Sequence, residues 1–335
     1  MRLAKLFERV MSAIPVAIGV AVIAFLFLRF LPGDPVEIML GDTQVSEAQV
    51  ESLRSDLNLD KPLVTQLGLF FSDLLRGDLG TSYVKNQPVA KLIGETLPAT
   101  IELTFATIAI AILIAVPIGI VSALRAGSWL DRTVLSGALL GVSMPAFWFG
   151  LLLILLLSVQ LHLLPTSGRI PATLAVEGRT GFMLVDTLLA GDMRAFGAAL
   201  RHLVLPALTL GVVFSAVLAR VVRASMIEVL QREFVTTARA KGLREWSVVM
   251  KHALRNALIP ALTVAGLQIG ELLGGNMIVE TIFAWPGVGR LVVSSIFARD
   301  YVVVQAAVML YALTYVAVNL VVDALYTLLN PRIAL

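Results

Sequence analysis

TTARAKGLREWSVVMKHALRNALIP (Thr236–Pro260) decides how the rest of this chain is to be read. It carries five arginines and lysines, one histidine and a single acid, and long apolar segments flank it on both sides. Thr236–Ala240 and Trp246–Leu258 are built of good helix formers without proline, and Gly242 alone interrupts them. Val248, Val249, Ala253 and Leu254 leave one side apolar, while Arg244, Lys251 and Arg255 supply charge. The pattern predicts two short helices meeting at a glycine, a basic elbow held against a membrane. On charge alone a second reading stands beside it, in which these cations only set topology and bind lipid headgroups.

Outward from the elbow the chain is oily. Of 335 residues, 58% are hydrophobic and 15% charged, and the mean hydropathy is +0.89. No soluble domain of this length needs so much apolar surface, so lipid is the solvent for much of it. A bilayer core takes about 20 apolar residues of helix. Six segments meet that length: Val10–Leu31, Ile101–Leu124, Val134–Leu161, Leu203–Val222, Ile259–Phe283 and Val302–Leu329. The first is too long for a signal-peptide core, and no small-residue cleavage site follows it.

Basic residues in short loops orient the spans. Arg2, Lys5 and Arg9 precede the first, Arg125 and Arg132 bracket the turn after the second, and the elbow's cations follow the fourth. Six spans put all three groups on the cytoplasmic side. Pro32–Pro98, with ten acids and five bases, falls opposite. The expectation is an all-α integral membrane protein of six transmembrane helices with both termini cytoplasmic. Residues 1–31 form an N-terminal segment and first helix, and 32–98 an extracytoplasmic (periplasmic) region. Residues 99–335 form a five-helix core with an extracytoplasmic loop at 162–201 and a cytoplasmic loop at 223–256.

Missing motifs limit the chemistry. There is no cysteine, and His162, His202 and His252 are scattered, so neither a thiolate nor a histidine metal site is expected. No phosphate-binding G-x-x-x-x-G-K-[ST] loop, H-E-x-x-H or G-x-S-x-G is present. The chain is expected to hydrolyse no ATP unaided. If it moves solute uphill, energy must enter through a partner, and the elbow is the only cytoplasmic surface large enough to receive it.

Within the spans, Gly266, Gly270 and Gly274 share one helix face at steps of four, and Gly137 and Gly141 form a similar pair. Such faces allow close helix approach, within one subunit or across a dimer seam. Glu271 is the sharpest oddity, because a carboxylate in a span is costly unless it is paired, protonated or facing a cavity. With Gln268 it is a candidate for lining a translocation path and meeting a cationic substrate group; the alternative is a structural pair with an arginine. Glu102, Glu280 and Asp323 sit near span ends and read as structural. The Gly-Asp-Pro and Trp-Pro-Gly segments read as helix ends.

"ARAKGL" followed by "KHALRNALIP" resembles the cytoplasmic loop of ABC importer permeases of the peptide and nickel class. "LPGDPV" (Leu31–Val36), "RGDLGTSY" (Arg76–Tyr83), "SMPAFWFG" (Ser143–Gly150), "ETIFAWPGVGRL" (Glu280–Leu291), "RDYVVVQ" (Arg299–Gln305) and "NLVVDALYTLLNPRI" (Asn319–Ile333) are similar to family segments, in family order. "TGFMLVDTLLAGD" (Thr180–Asp192) lengthens a loop in the manner of the dipeptide-type first permease. The resemblance implies the type I ABC importer permease fold in a bacterial plasma (inner) membrane. It also implies that the elbow docks on an ATPase through Thr236, Thr237, Ala238, Arg239, Ala240, Lys241, Gly242 and Leu243. Aligned on Gly242, Thr236–Ala238 stand where the general pattern has Glu-Ala-Ala, and only the last alanine matches; the departure is usual in the peptide class.

By resemblance the partners are a second, homologous permease, two ATPase subunits and an extracytoplasmic substrate-binding protein; nucleic acid is not among them. ATP and Mg would be bound by the partners, with no cofactor or metal in this chain. The expected cargo is a di- or oligopeptide, with nickel chelates, glutathione or another peptide-like solute as the alternative. A secondary transporter would show inverted repeats and intramembrane carriers in corresponding halves. The halves here are unlike. An intramembrane hydrolase lacks any paired catalytic residues.

Overall fold

The computed structural model describes residues 11, 14–26, 36, 46–56, 59–82, 84–174 and 176–329, apart from the side chains at 47, 48, 53, 56, 142 and 323–329. In chain order the helices are α1 (Ile14–Leu26), α2 (Glu47–Asp56), α3 (Leu63–Leu75) and α4 (Val89–Leu124). There follow α5 (Trp129–Ser143), α6 (Ala146–Gln160), α7 (Met183–Leu189), α8 (Met193–Leu230) and α9 (Glu233–Ala240). The chain ends in α10 (Glu245–Leu273), α11 (Met277–Ile282), α12 (Val288–Phe297) and α13 (Tyr301–Leu329). A two-stranded antiparallel hairpin, β1 (Thr81–Ser82) with β2 (Gln87–Pro88), leads into α4. The Leu31–Val36 and Asp323 readings lie outside the described side chains except for Val36, which is buried.

Among the described residues four helices are long and apolar enough to cross a membrane: α4, α8, α10 and Tyr301–Val322 of α13. Trp129–Gly141 and Ala146–Gln160 make a fifth crossing if counted together, bent by 100°. The bend falls at Met144-Pro145, where proline drives Met144 out of the helical region (ψ 129°). The expected third span is therefore sharply bent, the geometry of a broken span or a re-entrant loop. Within the expected first span, the described residues Ile14–Leu26 form an apolar helix.

Hydropathy underestimates the helices at their polar ends. The fourth span, expected at Leu203–Val222, is the middle of the 38-residue α8. Asp192 starts that helix by accepting from the amides of Arg194 and Ala195, both at 2.9 Å. At about 57 Å, α8 outreaches any bilayer core. The loop expected at 162–201 thus contains α7 and the first turns of α8, and most of 223–256 is helical. The expected second piece of the elbow is likewise no separate helix. Glu245–Leu273 runs on into the fifth span, with a π-helical segment at Val248–Ala253.

The core is the seam between α4 and α8. Two glycines set its closeness: a Cβ on Gly211 would lie 2.7 Å from Ile110, and one on Gly119 2.7 Å from Val222. At one end Leu203, Leu205, Leu210 and Phe214 pack with Leu103, Ile108, Phe283 and Trp285. Toward the elbow Leu218, Val222 and Met226 pack with Ala115, Ile120 and Ala123 and with Val249, Ala253 and Ala257 of α10.

Candidate functional site

The elbow begins where α8 ends. Arg232 (ψ 146°) turns the chain into α9, and α9 stops in a Schellman motif: the Leu243 amide donates to Ala238 O at 3.4 Å and the Gly242 amide to Arg239 O at 2.9 Å. The motif needs a left-handed residue, and Gly242 supplies it with φ +73°. Arg239 then reaches over the turn to Glu245, with Nη2 2.6 Å from Oε1 and Nε 3.1 Å from Oε2. Because both side chains are well exposed, that fork fixes the angle between α9 and α10 more than it adds stability.

Seven of the eight docking candidates are exposed. Thr236, Thr237, Arg239, Ala240, Lys241, Gly242 and Leu243 face outward, whereas Ala238 is buried with Val235 against Val248. The small side chain of Ala238 lets the elbow fold on itself. The surface holds apolar residues that sequence reading passed over: Trp246 is 75% exposed, with Phe234 and Leu243 each more than two-fifths exposed. Trp246 thus adds exposed apolar surface near the cations Lys241 and Arg244 in sequence.

A second tie holds the elbow's base. Asp131, at the start of α5, is buried and accepts from Arg223 Nε at 2.6 Å and Nη2 at 2.7 Å. The Gly127 amide, at 2.8 Å, and the Ser122 hydroxyl complete its shell. The turn between α4 and α5 is thereby locked to α8, two helical turns before the elbow.

The intramembrane candidates lie together. A cavity of about 850 Å³ opens between α8, α10 and α13, lined by Phe214, Gln268, Glu271, Tyr311 and Tyr315 among others. Gln268 is buried and donates Nε2 to Phe214 O at 3.1 Å. Glu271 is exposed to this cavity, and among the described residues no cation pairs with it. Of the glycines, Gly266 and Gly270 meet α13 of the same chain, at Val322 and Tyr315, and Gly141 approaches Ala216 of α8. Gly274 and Gly137 leave that pattern: a Cβ at Gly274 would meet only its own helix's backbone and one at Gly137 nothing within 4 Å.

At the end opposite the elbow, the Trp-Pro-Gly segment does more than end a helix. Glu280 is fully buried and accepts from Thr100 Oγ1 at 2.9 Å and the Arg290 amide at 3.0 Å. The Trp285 indole donates to Ala99 O at 2.8 Å, and a Cβ on Gly287 would lie 2.5 Å from the Glu280 carboxylate. Glu102 likewise binds Arg169 and the Leu184 amide, at 2.6 and 2.8 Å. Both acids are structural, as expected, but through buried partners and not through hydration at an interface. Burial would raise the Asp186 carboxyl, yet bonds from the Thr180 hydroxyl and the Thr180 and Gly181 amides hold it below its ordinary value.

Long apolar helices, a cavity among them and a rigid elbow outside define a membrane component of a transport system. The chain belongs to the family described as binding-protein-dependent transport system inner membrane component, matched over residues 115–335, with that family's N-terminal region matched over 2–104. It is similar to the di/tripeptide transport system permease protein DppB of Pseudomonas aeruginosa, at 46% identity over 96% of this chain and 95% of that one. The probable D,D-dipeptide permease DdpB of Escherichia coli is 45% identical over 97% of this chain and 96% of its own. The glutathione permease GsiC of Pectobacterium atrosepticum is 44% identical over 97% of each. A chain of the MetNI methionine ABC transporter, solved in inward-facing conformations, shares the fold: TM-score 0.50 at 18% identity, covering 71% of this chain and 96% of that one.

Proposed function

We propose that this chain is the membrane-spanning permease subunit of an ATP-driven importer of di- or oligopeptides. The observation that carries the reading is the elbow, a rigid turn with exposed Trp246, Leu243, Arg239 and Lys241, joined without a break to a helix that lines the membrane cavity. Named relatives at 45% and 46% identity over nearly full length support a peptide cargo. In this reading the chain has six spans with both termini cytoplasmic, and it pairs with a second, homologous permease. Two ATPase subunits bind ATP and Mg, and an extracytoplasmic binding protein delivers the cargo. The chain itself is not an enzyme and holds no cofactor.

ATP-driven closure of the ATPases pushes on the elbow. Because α9, α10 and the end of α8 pack in two clusters that adjoin at Val229 and Leu230, the push moves α8 and α10 as bodies and changes which side the cavity faces. Gln268 and Glu271 line the path, and Glu271 meets the peptide's ammonium group. The test is reconstitution in proteoliposomes with the cognate ATPases and binding protein. ATP hydrolysis stimulated by loaded binding protein, with peptide uptake that requires ATP, is the expected result. Uptake driven by an ion gradient without ATP would establish a secondary transporter instead. Uptake of glutathione or a nickel chelate in preference to peptides would move the cargo within the class.

A further inference from the structure

The described residues hold a second cavity, of about 380 Å³, at the end of α8 far from the elbow. Two of the chain's three histidines, His162 and His202, line it together with Arg201, although 40 residues separate the two in sequence. The fold brings them together by a specific device. The last two turns of α6 (Ile154–Gln160) are π-helical, a form that recurs at functional sites. His162 then takes a left-handed conformation (φ +51°), which turns the chain back over α8. Arg201 Nη2 clamps the returning segment at Leu163 O, 2.9 Å away.

The three side chains share one electrostatic feature. No aspartate or glutamate lines the cavity; its other walls are Ser158, Ala198 and apolar leucines and prolines. His162 Nδ1 lies 3.2 Å from Gln160 O, and His202 Nδ1 lies 2.8 Å from Ala198 O. A carbonyl only accepts, so each Nδ1 carries the hydrogen and each Nε2 is left for something else. Arg201 spends one N–H on Leu163 and keeps the rest of its fork. Around an uncompensated hollow, the guanidinium fork and two imidazoles in their cationic form suit a carboxylate.

We propose that His162, Arg201 and His202 form a carboxylate-binding site, filled by an acidic side chain of the soluble substrate-binding protein when it docks. This rests on the proposed importer reading, in which that end of the bundle is extracytoplasmic. The site stands at the mouth of the bundle and not along the α8–α10–α13 cavity, which favours a docking partner over the passing cargo. An imidazole whose Nδ1 already donates can donate from Nε2 only with a second proton. Arg201 is the only other ionisable group lining the cavity.

The assay is ATP hydrolysis by the reconstituted full complex, titrated with binding protein. Arg201→Gln and the double variant His162→Gln, His202→Gln should each raise the half-saturating binding-protein concentration about tenfold, the worth of a charge-assisted hydrogen bond. Basal hydrolysis and the rate at saturation should not change. Unchanged half-saturation in Arg201→Gln overturns the site. A defect that disappears when the binding protein carries a C-terminally amidated peptide would assign the carboxylate to the cargo and overturn docking. Wild-type complex that ignores its binding protein altogether would refute the importer reading and not this site alone.

Discussion

Gly242→Val is the sharpest perturbation, because the structure isolates its cause. A Cβ on Gly242 would meet nothing within 4 Å, so added bulk has no neighbour to strike. What remains is the φ of +73°. An L-residue held in the left-handed region costs about 1–2 kcal/mol, and a β-branched one sits at or above the upper figure. Since 1.4 kcal/mol is tenfold, valine depletes the native turn by about thirtyfold or more, and alanine by about five- to thirtyfold. Asparagine visits this region at lower cost.

Leaving the left-handed conformation breaks the bonds from Gly242 and Leu243 to Arg239 and Ala238 and releases the Arg239–Glu245 fork. The expected order of ATPase stimulation by loaded binding protein, in complexes of equal abundance, is glycine, asparagine, alanine, valine. Spans stay inserted in all four. A valine variant that couples as well as wild type, or an asparagine variant as poor as valine, would refute the reasoning. A double charge reversal at Arg239 and Lys241 that harms more than valine would return the elbow to a headgroup-binding role.

Ala238→Glu places a charge in the Val235–Val248 cluster, so it should destabilise the elbow by about 3 kcal/mol and speed proteolysis between 232 and 245; slow cleavage would show the pocket to be open. Glu271→Gln should lower uptake of cationic-amine peptides about tenfold with basal ATP hydrolysis intact, whereas normal uptake would remove Glu271 from the path. Gly211→Ala forces Ile110 and the Thr107 carbonyl apart, for a loss of about 1–3 kcal/mol; an unchanged thermal midpoint in detergent would contradict the tight α4–α8 seam.

The elbow was legible because its signals are local. A glycine after helix formers, a run of cations and an apolar face all fall within 25 residues, and the Schellman turn is their direct product. Gly266 and Gly270 were legible for the same reason, since a four-residue step is a helix face. What sequence hid is held by distant pairs. Arg223 and Asp131 stand 92 positions apart, Arg169 and Glu102 67, and Glu280 and Thr100 180, with no spacing rule to join them. Gly119 and Gly211 were hidden because each is a lone glycine whose neighbour lies on another helix. The lengths of α8 and α10 escaped because hydropathy reports what lipid touches, not where backbone hydrogen bonding stops.

The length of α8 turns it into a lever. Its 38 residues make one continuous helix of about 57 Å, with Pro206 inside it, Arg201 and His202 toward one end and Val222, Met226 and the elbow toward the other. Such a rod does not stretch; it tilts. Pivoting on the seam it shares with α4 near Gly211, a tilt of about 10° carries each tip roughly 5 Å in opposite directions, about the rise of one helical turn. In the proposed importer, a partner at the far end and a partner at the elbow would act on the same helix, and each would feel the other's load through it.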